Sequence, residues 1–465
     1  MTAQKNIPIG VREVIREGFC IGCGTCTVQS PSARIEFNQF GELVANIQGA
    51  TVDELALMDK ACPFSTVAPN ESELSNKAFG SENTQGFGHE IGWYTGLYAG
   101  HSEVYRKSGS SGGIVSWALS DLLTTGVVDQ VLVVGKSDND ERFFDFKAIS
   151  DPADLQTTGT SFYYPVSFDK ALKHILDNPG RYAITGVPCF HKALRQLKEF
   201  NPLIAERVVV QIGIVCGQMK SAFYLEYLDR KAGKNSPLVD ACFRRKDEHS
   251  RADDYLFEGT YKNSSNQLET RSVRNMEIGA NWAMGLFKPR ACDFCDDVFA
   301  ETADISVMDA WLDQYIQDGK GTSLVIARTN AAKTLLENGK VTKALHLDNV
   351  SERDVIESQL GGLNHRRAGL RYRLLTNAKC GPVPLKRLKP SDKLDIWFKL
   401  EQRIRAKIRE QSRYAIRKQL SLGGVGLDTY TSEMKGVLSL YKWFLRIKSR
   451  LTKRRDYKSF FKLDI

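Results

Sequence analysis

The chain has 465 residues, 42% of them apolar, with ten cysteines and a net charge of +9. That length serves about three domains, and the apolar content suffices for well-packed cores. The first 20 residues hold no apolar run fit for a secretory signal, and stretches such as "VVVQIGIVC" fall far short of a membrane span, so a cytoplasmic protein is expected. Ten cysteines in a reducing compartment point away from disulfides and toward metal or redox chemistry. The charge is uneven: residues 385–465 carry 22 Lys and Arg against 8 Asp and Glu, a balance of +14, which leaves −5 for residues 1–384.

The chain opens on "GFCIGCGTC", which places Cys20, Cys23 and Cys26 at C-x2-C-x2-C spacing. Such a loop sets three thiolates around one cubane, with Gly22 and Gly24 letting the backbone curl and turn its N–H groups toward sulfur. Cys62 supplies the remote fourth ligand, and Pro63 after it repeats the "CP" ending of bacterial ferredoxin loops. Between them "RIEFNQFGELVANI" reads as a hairpin and "VDELALMDKA" as a helix. Residues 1–75 are therefore expected to form a ferredoxin-type module with one 4Fe-4S cluster. Zinc, the alternative, prefers two separated C-x2-C knuckles.

Residues 76–90 are rich in Gly, Ser and Asn and read as a linker. Beyond it "GWYTGLYAG", "DQVLVVG", "RYAITG", "RVVVQIGIVC", "YLFEGTY", "ADISVMDAW" and "TSLVIAR" read as strands. Helical stretches such as "GGIVSWALSDLLTTG", "FHKALRQLKEF" and "SAFYLEYLDRKAG" alternate with several of them. The expected fold is α/β (α+β): the N-terminal module, a central mixed-sheet domain over 91–330, with parts 91–170 and 171–330, and a helical extension with a basic tail over 331–465.

Two features carry chemistry in the central domain. In "KSGSSGGIVSW", Ser110, Ser111, Gly112 and Gly113 enter a helix directly, where free N–H groups and the dipole favour an anion. This is neither a GxGxxG fingerprint nor a Walker loop, so neither NAD nor ATP is indicated, and a plain helix cap is the competing reading. Cys189, Cys216 and the pair Cys292/Cys295 sit after strands or in turns. They can bind a second cluster; equally, Cys189 and Cys216 can be ordinary buried residues and Cys292/Cys295 half a zinc knuckle. Cys242 and Cys380 read as packing residues.

Residues 90–330 resemble the coenzyme F420 hydrogenase/dehydrogenase beta-subunit family. The resemblance rests on "KSGSSGGIVSWAL", "GVVDQVLVVG", "TGTSFYYPV", "YAITGVPCFHKALRQL", "IGIVCGQMKS", "CFRRK" and "CDFCDDVFAETADISVMDAW", in the family's order. An N-terminal ferredoxin module precedes this domain in many relatives, so the resemblance covers about 330 of the 465 residues. It implies an FAD-containing iron–sulfur oxidoreductase. Relatives reduce the deazaflavin coenzyme F420 or reduce pigment precursors with ferredoxin electrons, and others lie among polysaccharide genes, which makes polysaccharide biosynthesis one expected setting. Two departures stand out. Met308 replaces a glycine of "ADISVGDAW", and "GQMKS" follows Cys216 where F420-reducing relatives commonly carry a histidine. Both bear on F420 as partner more than on flavin or cluster binding.

In the implied scheme the Ser110–Gly113 turn holds the FAD pyrophosphate and Thr185 and Gly186 approach it from a strand end. Arg244 and Lys246 share one face and neutralise phosphates or an acidic substrate. Asp304 and Asp309 are candidates for ribose or flavin contacts, and His191 and Tyr163 for the proton donor. The expected partners are an electron donor, such as ferredoxin or a reductase subunit, and a small-molecule substrate. A non-catalytic electron-transfer subunit is the alternative, and no nucleic acid is expected. In the tail, Val437, Leu440, Tyr441, Phe444, Ile447 and Leu451 recur at helical spacing beside Lys442, Arg446, Lys448, Arg450, Lys453, Arg454 and Arg455. That helix suits either an anionic membrane surface or the protein's own body, and residues 1–380 are expected to suffice for chemistry.

Overall fold

Four apolar runs, Gln130–Lys136, Tyr182–Gly186, Val208–Ile214 and Ile305–Asp309, lie side by side as parallel strands. Near-continuous hydrophobicity is what strands covered on both faces require. In the computed structural model, which describes residues 8–81, 86–138, 141–233, 236–278, 282–384 and 387–452, antiparallel neighbours extend them into a mixed eight-stranded sheet. Phe144–Ile149 flanks one side; Ser323–Ala327, Gly96–Ser102 and Leu345–Asn349 flank the other. The sheet therefore runs past residue 330, and its far edge strand belongs to the segment read as a helical extension.

Alternate residues of each strand feed opposite cores, as period-2 side chains must. Val131, Val133, Ala183 and Ile212 meet Trp117, Leu119 and Leu122 of helix Ile114–Thr124 and Leu336 of helix Asn330–Val341. Leu132, Tyr182 and Ile184 meet the other layer, made by Phe190, Leu194 and Leu197 of helix Pro188–Lys198 and by Ile9, Phe19, Ile21 and Phe64 of the N-terminal segment. The N-terminal segment is thus built into one face of the sheet.

That segment contains helix Val11–Arg16, the hairpin Arg34–Phe37/Leu43–Asn46 and helix Val52–Ala61. Thr51 accepts the Glu54 amide while the Glu54 carboxylate accepts the Thr51 amide, a capping box that fixes where the second helix starts. The Gly/Ser/Asn stretch is not a plain linker. Glu71–Phe79 is a helix capped by Asn70, and Gly86–Gly88 pairs with Gly92–Tyr94. "YLFEGTY" lies outside the main sheet, as the middle strand of a separate antiparallel meander formed by Leu238–Arg245, Leu256–Lys262 and Leu268–Arg274.

Helices Ile396–Ser421 and Asp428–Thr452 close the described chain as an antiparallel pair. Ile408, Ala415 and Ile416 join Met434, Val437, Tyr441, Phe444 and Leu445 in a third core with Tyr227, Phe243 and Phe287. Lys448 is buried and donates to Glu401 at 2.7 Å. The apolar stripe of the tail is therefore divided between the two surfaces its spacing allowed: Val437, Tyr441 and Phe444 cover the protein's own core, and Leu440, Leu451 and Trp443, the last 59% exposed, remain outside. Lys453, Arg454 and Arg455 lie outside the described residues. Among the described residues no helix is long and apolar enough to cross a membrane.

Candidate functional site

Cys20, Cys23, Cys26 and Cys62 converge on one small pocket, closed by Val11, Val14, Phe19, Ala45 and Phe64. Gly22 and Gly24 take φ of +63° and +88°. A Cβ on Gly22 would meet the Leu43 carbonyl oxygen at 2.5 Å, and one on Gly24 the Asp169 amide nitrogen at 2.4 Å, so glycine is required twice over. Cys62 follows helix Val52–Ala61 directly, which lets a residue remote in sequence reach the loop. The Cys20 Sγ accepts the Ala45 amide at 3.3 Å. Burial pushes the thiols up, Cys23 to about 11 and Cys62 to about 12, so they need a bound cationic centre to ionise.

Cys189, Cys216, Cys292 and Cys295, spread over about 100 residues of sequence, line a second small pocket with Ile21, Phe64, Met219, Asp297 and Arg366. Cys189 follows Pro188 at a helix start, Cys216 follows strand Val208–Ile214, and Cys292 sits in a 3-10 turn where its Sγ accepts the Met219 amide at 3.3 Å. Burial raises Cys216 to about 12. Ile21 and Phe64 line both cysteine pockets and so form the wall between them.

The spacing of the sulfurs bears on what they hold. A lone tetrahedral zinc needs sulfurs roughly 3.8 Å apart, from Zn–S bonds of about 2.3 Å. Among the described residues, the three or more His, Cys, Asp or Glu ligand atoms that gather within 4.8 Å of one another are those of His101, Glu103 and His346 alone. In neither cysteine quartet do three sulfurs come within 4.8 Å of one another.

A third space opens at the carboxyl ends of the parallel strands, where ligands of open α/β sheets bind. It is a cavity of about 900 Å³, large enough for a dinucleotide. Ser110, Ser111, Gly113, Thr185, Gly186 and Arg244 line it, together with Tyr163, Trp282, Met308 and Asp309. Cys216, Met219 and Arg366 line both this cavity and the second cysteine pocket.

The Ser110–Gly113 turn is shaped from within. The Ser110 hydroxyl accepts the Ser161 amide at 2.6 Å, the Ser111 hydroxyl donates to the Thr322 carbonyl, and the Gly112 amide donates to the Ser323 hydroxyl at 2.9 Å. Gly112 is absent from the cavity wall. Its missing Cβ makes room for the Gly100 carbonyl oxygen, 2.5 Å away, so it serves the sheet and not a ligand. Gly113, at φ +77°, begins helix Ile114–Thr124, whose first residues face the cavity. First-turn amides have no intrahelical acceptor. The turn therefore offers backbone N–H groups to an anion while its serines hold the turn.

Arg244 makes a bidentate pair with Asp309, at 2.7 and 2.9 Å, and stacks over Tyr255. Lys246 lies beyond the strand and donates to the Arg106 and Ser111 carbonyls, at the edge of a smaller pocket that shares Ser110, Arg244 and Asp309 with the cavity. Asp304 is absent from the cavity lining; it accepts from Arg195 and from the Gln211 amide.

Tyr163 lines the cavity against Trp282, with ring centroids 4.7 Å apart, whereas His191 does not. His191 is fully buried in helix Pro188–Lys198, and its Nε2 lies 2.9 Å from the Ile212 carbonyl. Burial holds its pKa down at about 4, against an ordinary 6.5. The unfolded chain takes up the proton between those values, so stability falls as pH drops from 6.5 through 4. In urea unfolding, wild type should lose about 2 kcal/mol more than His191→Gln between pH 7.5 and pH 5. Equal pH dependence in the two proteins would refute it.

None of Lys220, Arg366 and Arg405, all of which line the cavity, was among the residues expected to form the site. Lys220 follows Cys216 within "GQMKS"; its ammonium donates to the Leu286 carbonyl at 2.7 Å and sits over the Trp282 ring, and burial lowers it to about 7. Arg366 and Arg405 come from the C-terminal extension. Of the two cysteines read as packing residues, Cys242 is half-buried against Thr160, but Cys380 is exposed.

Two family models match the chain: the N-terminal part of the coenzyme F420 hydrogenase/dehydrogenase beta subunit over residues 97–173, and its C-terminal part over 180–353. The chain belongs to the coenzyme F420 hydrogenase/dehydrogenase beta-subunit family of oxidoreductases. It is 21% identical over 362 residues to the coenzyme F420-dependent sulfite reductase of Methanocaldococcus jannaschii, covering 74% of this chain and 49% of that one. It is 23% identical over 240 residues to one of the subunits of the F420H2 dehydrogenase of Methanosarcina mazei, covering 48% of this chain and 60% of that one. The chain thus spans half to three-fifths of the curated relatives it matches. A chain of the F420-reducing [NiFe] hydrogenase complex from Methanosarcina barkeri aligns with a TM-score of 0.47 at 14% identity, over 65% of this chain and 98% of that one.

Proposed function

We propose that the chain is an iron–sulfur flavoprotein oxidoreductase that moves electrons between two 4Fe-4S sites and FAD, with the deazaflavin coenzyme F420 as its two-electron partner. Cys20, Cys23, Cys26 and Cys62 would hold one cluster, in a ferredoxin-type module, and Cys189, Cys216, Cys292 and Cys295 the other. The cavity would hold FAD, with the pyrophosphate at Gly113 and the first turn of helix Ile114–Thr124. A bound flavin supplies the exchange between one-electron and two-electron partners. One observation carries the reading: shared walls join the three spaces in series, Ile21 and Phe64 between the two quartets and Cys216 between the second quartet and the cavity.

The residues divide the work. Gly113 and the amides after it bind anionic oxygens, and the Arg244–Asp309 pair fixes the cavity wall with its charges already matched. Tyr163 and Trp282 present ring faces and exclude water. Lys220, with a pKa near neutrality, can release or take a proton at its Nζ inside the cavity.

Anaerobically purified protein should contain eight irons, matching acid-labile sulfide and one FAD, on the stoichiometry of about four irons per cubane. Gly113→Val would drive a Cβ into the Tyr105 backbone, 2.4 Å away, at a positive φ that valine avoids. The variant should lose the flavin and keep the iron of the N-terminal quartet. Stoichiometric zinc without sulfide, or full flavin in Gly113→Val, would overturn the reading.

The partial coverage of the curated relatives favours one second reading, an electron-transfer subunit whose partner chain supplies substrate turnover. Reduction of F420 by the isolated chain with a reduced viologen dye separates the two, since only the first reading predicts turnover without a partner.

A further inference from the structure

The two cysteine quartets differ in the charges beside them: Glu42 acts on the first and Asp297 lines the pocket of the second, but only the second pocket has a cation, Arg366, in its lining. The charges acting most strongly on Cys20, Cys23, Cys26 and Cys62 are one another and Glu42. The second quartet faces Arg366, which is 2% exposed and lines the pocket directly. Its Nε and Nη1 are buried without a hydrogen-bond partner, and the charges acting most strongly on it are Cys295, Cys216 and Cys292. Lys288, on the Cys292 side, is already paired with the buried Asp293, which leaves Arg366 as the cation that lines the pocket.

Arg366 reaches this place from a π-helical turn, His365–Gly369, which interrupts the run between helices Leu360–Asn364 and Leu370–Asn377. Such turns are rare and gather at functional sites. The turn lies beyond residue 353, where the family match ends. Burying an arginine with two idle nitrogens costs several kcal/mol unless an anion faces it. A cubane on four thiolates is that anion, and it becomes more negative when reduced.

We infer that Arg366 raises the reduction potential of the second quartet's cluster above that of the N-terminal quartet, so that electrons entering at the N-terminal module run downhill toward the cavity. The inference rests on the two-cluster reading. Each step moves one electron: the N-terminal quartet's cluster is oxidised as the second is reduced, and a low-potential iron–sulfur protein resupplies the first. A cation close to a cluster in a low-dielectric interior favours its reduced state by Coulomb attraction, and net charge is one of the terms that set cluster potentials.

EPR-monitored redox titration of the full chain, with dithionite as reductant, tests this on wild type, Arg366→Gln and Arg366→Lys. In wild type the second cluster should reduce first; Cys23→Ser, which lacks the N-terminal cluster, assigns the signals. Arg366→Gln should shift the second cluster to lower potential and leave the N-terminal cluster unmoved, and Arg366→Lys should restore most of the shift. If Arg366→Gln loses the second cluster's iron, Arg366→Lys carries the test: a second cluster that still reduces before the N-terminal one supports the inference, and one that reduces after it overturns the inference. Unchanged potentials in Arg366→Gln with both clusters present overturn the inference alone. Wild type with a single cluster overturns the two-cluster reading and the inference with it.

Discussion

Replacing Cys292 by serine should halve the iron of anaerobically purified protein and leave the N-terminal quartet loaded. Cys292 is buried, its Sγ already accepts the Met219 amide, and it shares a closed pocket with three other cysteines. Serine keeps the size of the side chain but supplies no thiolate, and a cubane held by three protein sulfurs in an apolar pocket loses its anchor. Iron and sulfide per chain, with the EPR signal of the remaining cluster, measure the result. Cys380→Ser is the matched control, because that thiol is exposed and lies outside both quartets. Full iron in Cys292→Ser would remove Cys292 from the ligands of the second cluster.

A chain ending at residue 380 should lose both the flavin and the second quartet's iron. By sequence, residues 1–380 are expected to suffice, but the structure places helix Ile396–Ser421 beneath the site. Arg405 lines the cavity, the Ser412 hydroxyl accepts the Phe287 amide at 3.1 Å, and Arg409 pairs with the buried Asp293. Arg387 donates to both carboxylate oxygens of the buried Glu301. Removing one partner of a buried pair costs about 3–5 kcal/mol, and two such losses approach the whole stability of an ordinary domain, about 5–15 kcal/mol. Soluble yield, flavin per chain and iron per chain should all fall sharply. Wild-type values of all three would make the C-terminal helices accessory.

What could be read from sequence follows the range over which each feature is determined. The N-terminal quartet was legible because three of its cysteines lie in one loop, where Gly22 and Gly24 announce a curled backbone, and the fourth sits beside Pro63. The parallel strands were legible as apolar runs. The second quartet was visible only as four isolated cysteines. Its convergence depends on the order of strands Tyr182–Gly186, Val208–Ile214 and Ile305–Asp309, which is a tertiary fact. His191 was a candidate proton donor because it follows the strand-end turn on helix Pro188–Lys198, yet most of that helix is covered and its imidazole is buried away from the cavity. Arg366 had no signal at all. "NHRRAG" reads as an exposed basic turn, and only packing turns one of its arginines inward. The tail helix showed its stripe plainly, but periodicity does not say which surface the stripe meets.

The packing of the N-terminal segment into one face of the sheet has a consequence for biogenesis. Cys23 and Cys62 share a core with Phe168, Phe190 and Leu194, which are encoded more than a hundred residues later. At translation rates of about 5–20 residues per second, the four thiols leave the ribosome roughly ten seconds before the surface that will cover them exists. During that interval the loop is open to iron delivery and equally open to oxidation. Once residues 167–169 dock, with the Phe168 amide donating to the Cys23 carbonyl at 3.1 Å, the loop is covered from outside. On the proposed cluster reading, the order of synthesis sets a window for metallation, and iron limitation should trap chains whose nascent loop closes empty.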